Sequence, residues 1–169
     1  MKNFPTPEQA LSRLAALCAR SEQCSSDIEK KLEKMHLQPG DARRIMERLK
    51  ELKFVDDERF ARAYAHDKLE YQLWGRMKIS RGLWAKRIPR DLIDDALDNL
   101  DPDIYRNTAA RVVASKMRQL GDEAFTREGR DKILRFAMGR GFEAGLVIKI
   151  LSYLIKKRLE ESRGDDEMD

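Results

Sequence analysis

Two cysteines and two histidines in 169 residues leave little material for metal or thiol chemistry. Cys18 and Cys24 cannot build a disulfide framework or a four-ligand zinc site, and His36 and His66 lack a partner at metal-ligand spacing. Glycine (9) and proline (5) are scarce, and continuous runs of β-branched residues are missing, so the usual signals of sheet-rich folds are absent. No stretch approaches the roughly 18 consecutive apolar residues that a membrane span needs. No apolar core follows Met1-Lys2-Asn3-Phe4-Pro5 to direct export, which makes the cytoplasm the expected location. Phosphate-cradling glycine loops, paired active-site carboxylates and nucleophile–base sets are also missing. The expectation is a protein that is not an enzyme, with no catalytic residue, no metal site and no cofactor.

What is present favours helices. Leu, Ala, Lys, Arg, Glu and Asp dominate, and these residues lose least on entering a helix, so the predicted fold is all-α. From Ala10, the residues Leu11, Leu14, Leu17 and Cys18 recur at the three-and-four spacing of one helix face. Ser26-Asp27-Ile28-Glu29 reads as a capping box that opens a second helix with Ile28, Leu32 and Met35 inward. Pro39-Gly40 is expected to close it, and a third helix begun near Asp41 carries Ile45, Met46, Leu49 and Leu52 inward. None of these helices is long enough to stand alone, because isolated helices below about 12 to 15 residues are marginal in water.

The apolar skeleton repeats. A shift of 51 places Ile28 on Ile79, Leu32 on Leu83, Leu37 on Ile88 and Leu49 on Leu100; a further 54 places Ile79 on Ile133, Ile88 on Phe142 and Leu100 on Leu154. The second copy opens at Asp56-Asp57-Glu58, an acidic first turn suited to a helix dipole, and continues through Phe60, Ala61, Tyr64 and Leu69. Trp74-Gly75 marks its turn, Ile79, Leu83 and Trp84 its second helix, and Leu92, Ile93, Ala96 and Leu97 its third. The last copy opens with an Asp101-Pro102 cap and turns at Gly139-Arg140-Gly141-Phe142. The expected organisation is three tandem three-helix modules, 1–55, 56–100 and 101–158, followed by a disordered acidic tail, 159–169. Such a chain is expected to be elongated, with a long face and no deep pocket.

Charge is distributed unevenly. Lys68–Arg90 holds seven basic residues against Glu70 alone, a local +6 inside a chain of net +4, with acidic stretches on both sides. A concentrated basic block points to a polyanionic or acidic partner. Trp74 and Trp84 lie among these cations, where an indole can stack on a nucleobase, although packing into the core is expected for at least one of them.

Phe54-Val55-Asp56-Asp57-Glu58-Arg59-Phe60-Ala61, preceded by Ala19-Arg20-Ser21 and Ser26-Asp27-Ile28-Glu29-Lys30-Lys31-Leu32, resembles the RecX family of bacterial recombination regulators. Gly75-Arg76-Met77-Lys78-Ile79 and Arg140-Gly141-Phe142 extend the likeness across about residues 8–155. Lys53 and Arg87 stand where glycines are usual, and Trp74-Gly75 lacks a following proline that is common there. The resemblance implies a monomeric regulator of DNA repair and the SOS response. It would bind the RecA filament on single-stranded DNA and restrain RecA's ATP hydrolysis, strand exchange and co-protease activity. The expected contact set is Arg59, Arg62, Lys68, Arg76, Lys78, Arg81, Lys86 and Arg87. Weak direct DNA binding is compatible with it, no membrane is involved, and the alternative is a helix-turn-helix-like protein that binds DNA itself.

Overall fold

The first helix starts on a reciprocal pair of bonds. The Gln9 N–H donates to Thr6 Oγ1 (3.3 Å) and the Thr6 N–H donates to Gln9 Oε1 (3.1 Å), with Pro7 supplying a pre-set first turn. The computed structural model describes residues 4–166. Among them are α1 (Pro7–Arg20), α2 (Ser25–Glu33), α3 (Pro39–Glu51), α4 (Asp57–Glu70), α5 (Arg76–Ala85), α6 (Arg90–Asp98), α7 (Pro102–Leu120), a 3-10 helix (Gly121–Phe125), α8 (Arg127–Gly139) and α9 (Ala144–Asp166). No strand occurs among the described residues, so the all-α prediction holds.

The chain divides into two compact units. One comprises Met1–Tyr64 with Gly82–Asn99, the other Ala65–Arg81 with Leu100–Asp169. In the first, α1 and α2 pack on α3 around Ala10, Leu14, Ile28, Leu32, Ile45 and Leu49. In the second, α7, α8 and α9 pack on one another around Tyr105, Val113, Ile133, Phe142 and Val147.

The recurring apolar positions are core positions. Ile28, Ile79 and Ile133 are each 0 % exposed, and burying a side chain of that size contributes about 1.5 to 3 kcal/mol. The backbone repeats with them. His36, Arg87 and Gly141 all have positive φ (53°, 58° and 95°), and they lie at the same offsets of 51 and 54 as the isoleucines. Each reverses the chain after a helix carrying one of those isoleucines. Glycine takes this conformation at no steric cost, whereas other residues are strained in it.

Several local expectations are corrected. Cys24, not Ser26, precedes the first residue of α2 and offers no side-chain cap, and Ser26 lies inside the helix and is buried. Pro39 opens α3 rather than closing α2, because its fixed φ suits a first helical turn and its missing N–H is not needed there. Leu52 follows the end of α3 and is 45 % exposed, since the helical face that buries Leu49 no longer continues. The stretch expected to be a disordered tail from 159 continues α9 as far as Asp166; an i,i+4 ion pair of Lys156 with Glu160 and a bond from Ser162 Oγ to the Arg158 carbonyl (3.0 Å) support those turns. The remainder of that tail, 167–169, lies outside the described residues. By contrast, Asp101 caps α7 as its sequence predicts, accepting the N–H groups of Asp103 (2.8 Å) and Ile104 (3.0 Å).

Candidate functional site

A helix start leaves N–H groups without intrahelical partners, and here those groups decide what the motif residues do. Asp56 accepts the Arg59 N–H (3.0 Å) and so caps its own helix, α4. Its neighbour Asp57 reaches back to α2, where Oδ1 accepts the Ser25 N–H at 2.7 Å. Ser26 Oγ donates to the carbonyl of Lys86 (2.6 Å), and Lys86 Nζ forms an ion pair with Asp27 at 2.7 Å. Partial burial pushes the Asp27 carboxyl up, but bonds from Lys86 and Cys24 and the charges of Lys86 and Lys30 outweigh it and hold the group below the ordinary carboxylate range. Lys86 shows the converse: burial opposes its charge, the Asp27 bond and charge favour it, and the ammonium lies above its ordinary value.

In the second unit the start of α5 is satisfied without any capping side chain of its own. The Gly75 N–H donates to the Arg140 carbonyl (2.8 Å), the Met77 N–H to the Gly141 carbonyl (3.0 Å), and the Arg76 N–H to Tyr105 Oη (3.0 Å). Tyr105 Oη in turn donates to Glu143 Oε2 at 2.6 Å, and the Arg76 guanidinium lies over the Tyr105 ring, 3.9 Å from its centroid. Burial, reinforced by the Glu143 bond, pushes the Tyr105 phenol far above its ordinary range. Gly75-Arg76 and Arg140-Gly141-Phe142, read in the sequence as separate motifs, are thus the two halves of one docking arrangement. No local signal reveals the parts played by Tyr105 and Glu143.

The eight basic residues expected to touch a partner are mostly engaged within the protein. In the first unit Arg59 pairs with Glu22 (2.6 Å), Arg62 with Asp95 (2.9 Å) and Glu58 (3.0 Å), Lys86 with Asp27, and Arg87 with Glu29 (3.7 Å). In the second, Arg76 is held by Tyr105 and Glu143, while Lys68 and Lys78 lie 4.9 and 4.5 Å from the centroid of the Trp74 ring. Arg81 is exposed and has no ion pair among the described residues. Trp84, three residues further along α5, is 67 % exposed; its place in the apolar repeat therefore does not put it in the core. Trp74 is half-buried against its two lysines.

The thiols and imidazoles form no reactive set. Cys24 is fully buried, and burial pushes its thiol up; burial and the Glu22 charge do the same to Cys18. The His36 ring meets the Phe4 ring at a tilt of 56° with centroids 4.5 Å apart, and His66 Nε2 lies 3.0 Å from Glu70 Oε1; both histidines are exposed.

Helical units whose glycine, serine and acidic residues dock one helix end on another turn define the class of this chain: an all-α protein built of small helix bundles. A family model described as "RecX, second three-helix domain" matches residues 56–97. "Regulatory protein RecX" of Streptomyces coelicolor is 25% identical over 169 residues, covering 95% of this chain and 85% of that protein. "Regulatory protein RecX" of Chlorobaculum tepidum is 27% identical over 160 residues, covering 95% of both. Against "Regulatory protein RecX" of Clostridium perfringens, at 29% identity, the match spans 69% of this chain and only 55% of the relative. Two solved structures share the fold: "Crystal structure of regulatory protein RecX" (TM-score 0.76, 24% identity, 85% of this chain and 70% of that one) and "Crystal structure of RecX from Lactobacillus salivarius" (TM-score 0.79, 16% identity, 88% and 96%). Over most of its length the chain is similar to regulatory proteins named RecX.

Proposed function

We propose that this protein regulates the RecA recombinase by docking as a monomer on the filament that RecA forms on single-stranded DNA in the cytoplasm. There it restrains ATP hydrolysis, strand exchange and co-protease activity, with no cofactor and no chemistry of its own. The observation that carries this reading is the likeness to proteins named "Regulatory protein RecX" over 95% of the chain. The surface supports it, because tryptophan and arginine are among the residues that most often anchor protein interfaces, and α5 exposes both Trp84 and Arg81, the latter without an ion pair among the described residues. The contact set remains Arg59, Arg62, Lys68, Arg76, Lys78, Arg81, Lys86 and Arg87, with Arg81 foremost because it is exposed and has no ion pair among the described residues. Three modules, 1–55, 56–100 and 101–158, would let the first docking event make the next ones intramolecular.

The test is titration of the protein into RecA on single-stranded DNA, following ATP hydrolysis and, by electron microscopy, filament length. Both should fall; unchanged values at excess protein would sink the reading. Direct DNA binding is the second reading, favoured by a shallow surface on α7 where Arg111 and Arg118 lie with Asn107 and Ser115 and no acid. Gel shifts with bare DNA at two salt concentrations separate the two, since affinity carried by phosphate contacts falls steeply as salt rises.

A further inference from the structure

The first unit carries a groove between α1 and α2 that lies outside the basic block and takes only Arg20 and Lys31 from the RecX-like segments. Its floor is apolar: Leu14 and Leu17 from one helix, and Met35 just past the end of the other. Its rim is cationic, with Arg13 and Arg20 on α1 facing Lys31 and Lys34 on the α2 side, and no acid lines it. All four cations are without an ion pair among the described residues, whereas Arg43, Arg44, Arg48, Arg59 and Arg62 of the same unit each have one. The groove between α8 and α9 differs, because Asp131 and Glu160 stand among its cations. Four like charges around an apolar floor, screened only by salt and water, favour an occupant that brings acids.

We infer that this groove binds an acidic amphipathic helix of a partner protein, its apolar stripe on the half-buried Leu17 and Met35 and its carboxylates on Arg13, Arg20, Lys31 and Lys34. Spacing supports a helix. Arg13, Leu17 and Arg20 fall at i, i+4 and i+7 of α1, so one face of that helix presents an apolar side chain with a cation one turn to either side, which a guest helix can match with a leucine between two carboxylates. Methionine at the edge adapts its thioether to different guest side chains. Nucleic acid fits poorly: no aromatic ring lines the groove for a base to stack on, and a phosphate backbone would leave the leucines uncovered. The inference reaches beyond the RecA reading, and its test contains no RecA, so either can fail without the other.

The probe is a fluorescein-labelled peptide of about 16 residues with leucines at i, i+4 and i+7 and glutamates on both flanks, long enough to be helical once bound. Titrated with the full-length protein by fluorescence anisotropy, it should bind, and more weakly as salt rises. Arg13 and Lys34 are exposed, so the double variant Arg13→Glu with Lys34→Glu keeps its core, which circular dichroism checks. The variant should lose about tenfold or more in affinity, and a lysine-for-glutamate version of the peptide should recover it. The inference is overturned if a scrambled peptide of equal charge binds as well. It is also overturned if the double variant binds the probe unchanged, or if an oligothymidylate competes the peptide off while the scrambled peptide does not.

Discussion

A Cβ placed on Gly75 would stand 2.3 Å from both the carbonyl carbon and the carbonyl oxygen of Gly141. The two glycines let the start of α5 touch the turn between α8 and α9 backbone to backbone, so that the Gly75 and Met77 N–H groups can reach the carbonyls of Arg140 and Gly141. Gly75→Ala must push the turn away and break those bonds. The expected loss is about 1 to 3 kcal/mol, read as a lower midpoint in urea denaturation. Gly141→Ala should do similar damage, because its φ of 95° suits glycine alone and its Cβ would meet Lys78 Cβ at 2.5 Å.

Tyr105→Phe removes a hydroxyl that accepts from the Arg76 N–H and donates to Glu143, leaving both without a partner in a part-buried setting. The expected cost is about 1 to 3 kcal/mol. Because burial holds the phenol protonated in the folded state, the stability it contributes is full below the ordinary tyrosine value of about 10 and is lost as pH rises from there through the higher folded value. The near-ultraviolet phenolate signals of the wild type and the variant should therefore coincide at about pH 11 in the folded proteins. A wild-type excess there would contradict the buried, bonded hydroxyl.

The Lys86–Asp27 pair predicts a pH window. Asp27 is depressed in the folded state, so its contribution is present above the unfolded aspartate value of about 3.9 and fades as pH falls through the lower folded value. Lys86 is raised, so its contribution is full below about 10.4 and fades as pH climbs through the higher folded value. Between these limits Asp27→Asn should be less stable than the wild type, and the two stability curves should converge toward acid pH. Parallel curves down to low pH would mean that the pair contributes nothing.

Arg87 takes a left-handed φ of 58° at the position where the next copy of the repeat has Gly141. A non-glycine residue is strained there by about 1 to 2 kcal/mol. Arg87→Gly relieves that strain, while the looser unfolded chain and the loss of the exposed Glu29 ion pair offset part of the gain. A net stabilisation below about 1 kcal/mol is expected in thermal denaturation, with the thermal midpoint rising.

Arg81→Glu and Trp84→Ala alter exposed positions of α5 and should change stability by no more than about 0.5 kcal/mol. Under the proposed function, Arg81→Glu should need about tenfold more protein to halve RecA's ATP hydrolysis, as expected for an interface anchor. Equal inhibition by the variant and the wild type would remove Arg81 from the contact set.

Much of the helical layout is legible along the chain. The Asp101-Pro102 start and the Gly139–Phe142 turn lie where their residues place them, because each is made by bonds between near neighbours; the Trp74-Gly75 turn is also where the sequence puts it, but its Gly75 N–H is met by the distant Arg140 carbonyl. The start of α2 is different: Ser26 has the composition of a cap, yet its hydroxyl is drawn to the carbonyl of Lys86, 60 residues away, and the free N–H of Ser25 is met by Asp57. Trp84 is misread for a related reason. Helical period places it beside Leu83, but no neighbouring element covers that side of α5, and it stays in solvent.

What the chain determines by itself is which residues are helical and which face of each helix is buried, since apolar spacing is a local property that repeats with Ile28, Ile79 and Ile133. What only the tertiary structure decides is which atoms satisfy the helix ends and which charges are already neutralised. Hydrogen bonds and ion pairs act over a few ångströms between residues far apart in sequence, and only the folded chain brings Asp57 to Ser25, Arg140 to Gly75 and Asp27 to Lys86 while leaving Arg81 without an ion pair among the described residues.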